Sequence, residues 1–266
     1  MTRHLVDVHV HFLHAASGRA DWAEANRQRL EVGARMGITV HIASILGSWG
    51  RTSPTYFPSP DDVTAGNDAE LELMRAHREI KGYVTVNPNF TDHAVREIGT
   101  RLGQGMVGIK LAASRRASDP LLDPVARLAA EHDVPVLQHI WQQRRGEVAG
   151  QEISDALDLI ALARRHGGVR FILAHIGGGG DWAHSLRALV DVPNILVDLS
   201  GSGVDRGMLE LCIECVGTDR LLWGTDLTMD TGLAKLRALE AMGLAAEALE
   251  DIRWRTADRI FRLGLA

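Results

Sequence analysis

Short runs of β-branched and other apolar residues recur along the chain, and stretches with apolar positions every three or four residues separate them. The runs cover Leu5–Phe12, Ile38–Leu46, Gly82–Asn87, Met106–Ala112, Val134–Ile140, Arg170–Ile176, Asn194–Ser200 and Arg220–Asp226. Their length and composition predict buried strands, and Asp68–Ile80 and Glu152–His166 carry the helical spacing. The intervals suit βα units of roughly 30 residues. Strands that alternate with helices imply parallel pairing through right-handed crossovers. Eight such units predict an α/β fold, a single (β/α)8 barrel, with a large open sheet as the alternative. No linker, repeat or composition shift divides the chain, so residues 1–266 read as one domain. His9 already lies in the first strand and 40 residues follow Asp226, so no added β-sandwich is expected. The longest irregular stretch, Gly47–Asp61, holds three prolines and a Tyr-Phe pair, and is expected to form an ordered loop over the C-terminal mouth.

Composition narrows the function classes. A 45% hydrophobic and 24% charged chain is globular, and a net charge of −5 offers no broad nucleic-acid footprint. No apolar run is long enough for a membrane helix, and the N-terminus lacks a signal-like core, so a soluble cytoplasmic protein is expected. Cys212 and Cys215 form a C-x-x-C within a helical pattern, where a buried core pair outweighs a redox site. The unusual count is histidine, at 12, close to the number of all Phe, Trp and Tyr residues together.

Placement gives that count its meaning. Side chains alternate faces along a strand, so Val6, Val8 and Val10 are expected to pack outward while His9 and His11 project into the barrel. An H-x-H pair alone is a weak signal. The fifth run, however, ends in Gln-His139, the sixth in Ala-His175 and the eighth in Gly-Thr-Asp226. Each is a polar residue at the C-terminal end of an apolar strand, where a barrel gathers its catalytic groups. His9, His11, His139 and Asp226 can together hold one divalent ion and leave a position open. Nitrogen and oxygen donors of this kind suit Zn2+ first, with iron, cobalt, nickel or manganese as alternatives.

Over nearly its whole length the chain resembles the amidohydrolase superfamily, most closely its compact "amidohydrolase 2" branch of metal-dependent hydrolases and decarboxylases. The resemblance rests on Asp7-Val-His-Val-His11, Val-Asn87-Pro88, Gly108-Ile-Lys110-Leu, Val-Leu-Gln-His139, His175-Ile-Gly-Gly178, Gly224-Thr-Asp226 and Thr256-Ala-Asp-Arg-Ile-Phe-Arg-Leu263. Two departures stand out. Ala-Ala follows Gly-Ile-Lys-Leu where His-Pro is common, and the usual Pro soon after Gly-Thr-Asp is missing. The resemblance implies His9, His11, His139 and Asp226 as metal ligands and His175 as the histidine that assists chemistry. It also implies a small-molecule substrate and allows a homodimer. In two-metal relatives a lysine at the place of Lys110 is carbamylated and bridges the ions, with the later histidines on the second ion. One metal with an unmodified Lys110 lining the pocket is the favoured reading.

The first functional expectation is hydrolysis of an amide, ester or lactone of a small, carboxylated molecule. Asp226 would accept a proton from metal-activated water, and His175 would hydrogen-bond the attacking group or polarise the substrate. The alternative keeps the site and makes it a non-oxidative decarboxylase of an aromatic or unsaturated acid. A metal-dependent nuclease and a non-enzymatic metal-binding barrel rank below both. Arg115 and Arg116 follow the fourth strand and can hold a substrate carboxylate. Tyr56, Phe57, Trp49 and Trp141 are candidate pocket walls. His4 and His14 are expected at the surface and His41 in the core.

Overall fold

Eight parallel strands follow one another around a barrel in sequence order: β1 (Val6–His11), β2 (Val40–Ser44), β3 (Ile80–Val86), β4 (Gly108–Leu111), β5 (Val136–Gln138), β6 (Phe171–Leu173), β7 (Ile195–Asp198) and β8 (Leu221–Leu222). The structure is a computed structural model, and it describes residues 4–141, 151–178, 180–227 and 229–266. Among the described residues, the helices are α1 (Trp22–Met36), α2 (Pro60–Ala76), α3 (Thr91–Gly103), α4 (Asp123–His132), α5 (Ala156–Arg165), α6 (Trp182–Ala188), α7 (Met208–Val216), α8 (Met229–Ala241), α9 (Ala246–Glu250) and α10 (Thr256–Phe261). This is the expected (β/α)8 barrel, and its strands make one sheet.

Two apolar layers hold it. Val84, Val86, Ile109, Leu111, Val136 and Leu173 face the helices and pack with Ile98, Val125, Leu159 and Leu239. The alternate residues, including Val40, Ile42, Tyr83, Leu137, Ile172, Leu196 and Leu222, fill the interior together with Ala257, Ile260 and Phe261 of α10. The C-terminal helix is therefore part of the barrel's own core. Burying a side chain such as Phe261 is worth about 1.5–3 kcal/mol.

Val6 and Val8 belong to this interior layer, and only Val10 packs outward, against Phe12, Ala43, Ile45 and Ile80. The expected outward face of three valines is thus wrong for two of them. The β1–β2 register shifts between Asp7 and Val10. Such a bulge reverses the alternation and re-aims the residues that follow it.

Helix α2 begins earlier than its apolar pattern suggested and stops before Ile80, which opens β3. Ser59 caps the helix by accepting the Asp62 N–H, and Pro60 occupies the first turn, so a segment read as loop is helical. The expected helix 152–166 shortens to α5 because Asp155 and Asp158 form a reciprocal capping box at its start. Helix α7 carries both cysteines; Cys212 is buried, Cys215 is half-buried, and both are free thiols. Burial pushes the Cys212 thiol up to about 12, which keeps it protonated.

The barrel closes between β8 and β1 through few bonds. Val8 N–H donates to Trp223 O at 3.1 Å and Asp226 N–H to His9 O at 2.6 Å. Asp7 reinforces the seam by accepting from Thr225 N–H at 3.0 Å and from Thr225 Oγ1 at 2.6 Å.

Candidate metal centre

Beyond the bulge, His9 and His11 turn into the barrel mouth with Nε2 atoms 3.2 Å apart. Hydrogen bonding assigns the protons on both rings. His11 Nδ1 lies 3.0 Å from Ser44 O, a carbonyl that can only accept, so its proton is on Nδ1. His9 Nδ1 lies 2.7 Å from Asp198 Oδ2, which places its proton there as well. Both Nε2 atoms therefore offer lone pairs 3.2 Å apart, and His9 Nε2 also lies 2.9 Å from Lys110 Nζ. Asp226 Oδ1 joins them, 3.3 Å from His11 Nε2 and 3.9 Å from His9 Nε2. Donors about 2.0–2.1 Å from a tetrahedral ion stand roughly 3.3–3.4 Å from one another. Two of the three separations, 3.2 Å and 3.3 Å, come close to that spacing, and His9 Nε2 to Asp226 Oδ1 is wider at 3.9 Å.

Among the described residues, His9 also groups with His175 and Asp198, with donor atoms of the three within 4.8 Å of one another. His139 stands outside both groups. Its Nδ1 lies 3.0 Å from His175 Nε2, and its buried Nε2 has no hydrogen-bond partner. A bare buried nitrogen of this kind is a donor still lacking an acceptor or ion.

Electrostatics keeps these groups in metal-binding form. Burial, then the charge of Lys110, drives the His9 imidazolium well below its ordinary range. Burial, then His175, does the same to His139, and burial lowers His175 to about 3. His9, His139 and His175 are neutral, as ligation requires. Burial opposes ionisation of Asp226, but His175, His11 and His9 outweigh it and hold the carboxyl well below the usual carboxylate range. Lys110 points inward from β4, is fully buried, and donates from Nζ to His9 Nε2 at 2.9 Å. Burial lowers its ammonium to about 8, against the opposing pull of Asp226 and Asp198.

Asp198, the last residue of β7, was not singled out from the sequence. It is fully buried and accepts from His9 Nδ1, from Ser200 N–H at 2.8 Å and from Ser200 Oγ at 2.5 Å. The only signal for it was a carboxylate closing an apolar run, as Asp226 does. Gly224 makes room for it: a Cβ there would come within 2.7 Å of Asp198 Oδ1 and 3.1 Å of His9 Cβ. Gly177 is equally constrained, with Lys235 Nζ 2.5 Å from the place of a Cβ, so the glycines after His175 serve close packing. Gly179 of that run lies outside the described residues.

The remaining candidates divide by position. Tyr56 and Trp141 place their rings 5.0 Å and 5.1 Å from the His139 ring, and Trp49 lies 5.5 Å from His11. Arg115 is tied to Glu152 at 3.0 Å and to Asp119 at 3.6 Å. His14 is buried with Nε2 2.8 Å from Gly47 O, so its expected surface position is corrected: it fastens the β2–α2 loop to the end of β1. His41 is buried as expected, 3.8 Å from Asp7. A cavity of about 760 Å3 lies against His11, between α1, Trp49 and the segment after β8.

The family model described as Amidohydrolase matches residues 6–263. The chain belongs to this amidohydrolase family. Solved structures share the fold at low identity. A dihydroxybenzoic acid decarboxylase from a Polaromonas species, with bound manganese and the inhibitor 2-nitroresorcinol, is 16% identical with a TM-score of 0.75, and the match covers 99% of this chain and 98% of that one. The 2,6-dihydroxybenzoate decarboxylase from Rhizobium is 17% identical with a TM-score of 0.73, covering 98% of this chain and 99% of that one. The 5-carboxyvanillate decarboxylase of Novosphingobium aromaticivorans, complexed with manganese and 4-hydroxy-3-methoxy-5-nitrobenzoic acid, is 16% identical with a TM-score of 0.69, covering 98% and 96%. No curated protein matches the chain.

Proposed function

We propose that this amidohydrolase-family enzyme is a metal-dependent decarboxylase of a small aromatic or unsaturated carboxylic acid. The observation that carries the metal reading is the gathering of His9 Nε2, His11 Nε2 and Asp226 Oδ1 at one point of the mouth. Decarboxylation takes precedence over the hydrolysis first expected because all three of the similar structures above are decarboxylases of hydroxylated aromatic acids, two of them with manganese.

His9, His11 and Asp226 would hold the ion, with the bare Nε2 of His139 as a fourth donor. A bound divalent cation supplies positive charge that draws electrons toward the substrate oxygens, and both manganese and zinc accept this donor set. Lys110 offers the substrate carboxylate a buried ammonium, while Tyr56, Trp49 and Trp141 wall the ring and exclude water. Asp226 and His175, 3.4 Å apart, relay to carbon a proton drawn from solvent, since at rest the carboxyl is ionised and the imidazole neutral. The carbon–carbon bond breaks, its electron pair stays on the ring or alkene carbon, that carbon takes the proton, and carbon dioxide leaves.

Hydrolysis of a carboxylated ester, amide or lactone is the second reading. The family's description favours it. Incubation of metal-loaded protein with hydroxylated benzoates and unsaturated acids separates the two. The expected result is carbon dioxide in equal amount to the decarboxylated product. Turnover of esters or lactones with no carbon dioxide from any acid overturns the proposal in favour of hydrolysis.

A further inference from the structure

Helix α1 contributes no donor to the candidate metal centre, yet one of its side chains reaches the seam on which Asp226 sits. Arg29 Nη1 donates to the main-chain carbonyl of Asp226 at 3.0 Å, and Nη2 donates to that of Leu227 at 2.9 Å. The planar fork thus spans two consecutive carbonyls, a geometry that a lysine ammonium cannot copy. Asp226 itself is in left-handed backbone, with φ 57°, a conformation that a non-glycine residue keeps only when its surroundings impose it.

Among the described residues, β1 supplies the other restraints on this turn. Strand β8 ends at Leu222, four residues earlier, and Asp226 meets β1 through a parallel bridge to Val10 that includes its N–H bond to His9 O. Asp7 restrains Thr225 from one side. On the other side lies the 760 Å3 cavity, of which Arg29 and Leu227 are wall residues. The guanidinium spends its charge on main-chain oxygens. Both Asp226 carboxylate oxygens remain directed at His11 and His175, 3.3 Å and 3.4 Å away.

We infer that Arg29 is a positioning residue: by clamping the carbonyls of Asp226 and Leu227 it sets the direction in which the Asp226 carboxylate meets the metal. This rests on the metal reading proposed above. Groups that orient a metal ligand typically change metal affinity about 10–100-fold when removed.

The test is Mn2+ binding by calorimetry, with circular dichroism to verify the fold, and amide hydrogen exchange on the metal-free protein. Arg29→Met should weaken Mn2+ binding about 10–100-fold. It should also speed exchange of the Asp226 amide about tenfold, as loss of a charge-assisted bond loosens the turn. Arg29→Lys, which keeps the charge but reaches one carbonyl, should fall between Arg29→Met and wild type, and it decides the matter if Arg29→Met does not fold. Val32→Ala, on the same helix and cavity wall, should leave both readouts unchanged. Folded Arg29 variants that bind Mn2+ within about twofold of wild type, well inside the expected range, overturn the inference while the metal reading stands. Wild-type protein that binds no Mn2+ or Zn2+ overturns both.

Discussion

His175 and Asp226 face each other with Nδ1 and Oδ2 3.4 Å apart, and both hold left-handed backbone, at φ 60° and 57°. Two such residues following different strands at one mouth are a concentration of strain of the kind that folds keep at working sites. The strain has a local support on each side: Gly178 N–H returns to His175 O at 2.7 Å, and Asp226 N–H to His9 O at 2.6 Å. The outcome is a neutral imidazole held against an ionised carboxylate, a pair suited to carrying a proton.

Asp198→Asn should weaken metal binding about 10–100-fold, because an amide nitrogen can donate to His9 Nδ1 and move the ring proton onto Nε2. Calorimetric titration with Mn2+ and Zn2+ checks it. Affinity within twofold of wild type would show that the Asp198–His9 bond does not set the tautomer.

Divalent metal should stabilise the fold, since its proposed donors come from β1, from the residue after β5 and from the segment after β8. At a free concentration 100 times the dissociation constant the gain is about 2.7 kcal/mol, visible as a rise in Tm that a chelator reverses. His11→Ala should abolish the rise. Retention of the shift in that variant would place the ion elsewhere.

Glu70, on α2, is fully buried and neither carboxylate oxygen has a partner. Burial alone raises it from 4.5 to about 8. Between those two values the native chain binds a proton that the unfolded chain has released, so this residue's contribution to stability falls as pH rises. Glu70→Gln needs no such proton and should be more stable by about 1–3 kcal/mol near pH 7.5, the advantage vanishing toward pH 4.5. Urea unfolding of both proteins at several pH values measures the difference, in which the other titrating groups cancel. A variant less stable than wild type near pH 7.5 contradicts it.

Arg115→Ala should raise KM for a carboxylic acid substrate less than about fivefold, since Arg115 already pairs with Glu152 and Asp119 and a partly exposed ion pair has little to give up. Steady-state kinetics on a substrate found by carbon dioxide release decides it; a loss of 100-fold would return Arg115 to the role of carboxylate clamp.

The barrel was legible because eight apolar runs alternate with helical ones, and so was the meeting of His9, His11, His139, His175 and Asp226 at one mouth. Val6-Asp-Val-His-Val-His11 reads as perfect alternation, however, and a bulge leaves no mark in such a pattern. Asp198 was hidden for a related reason: it sits between Val197 and Leu199, and only the ring of His9 gives it a purpose. Arg29 lies on a strongly polar helix, where a charged residue reads as solvated. Arg115 and Glu152 are 37 positions apart, and their pairing exists only in three dimensions.

Asp62 accepts hydrogen bonds from Ser48, Thr52 and Ser53, and Ser59 in turn caps the helix that carries Asp62. A single carboxylate thereby gathers the β2–α2 loop that brings Trp49 and Tyr56 to the mouth. A wall assembled from its own hydroxyl groups has its shape before any substrate arrives. If these rings wall the substrate as proposed, selectivity would work as a sieve, by what fails to enter, and changing the preference would mean rebuilding the loop around Asp62 while leaving the histidines alone.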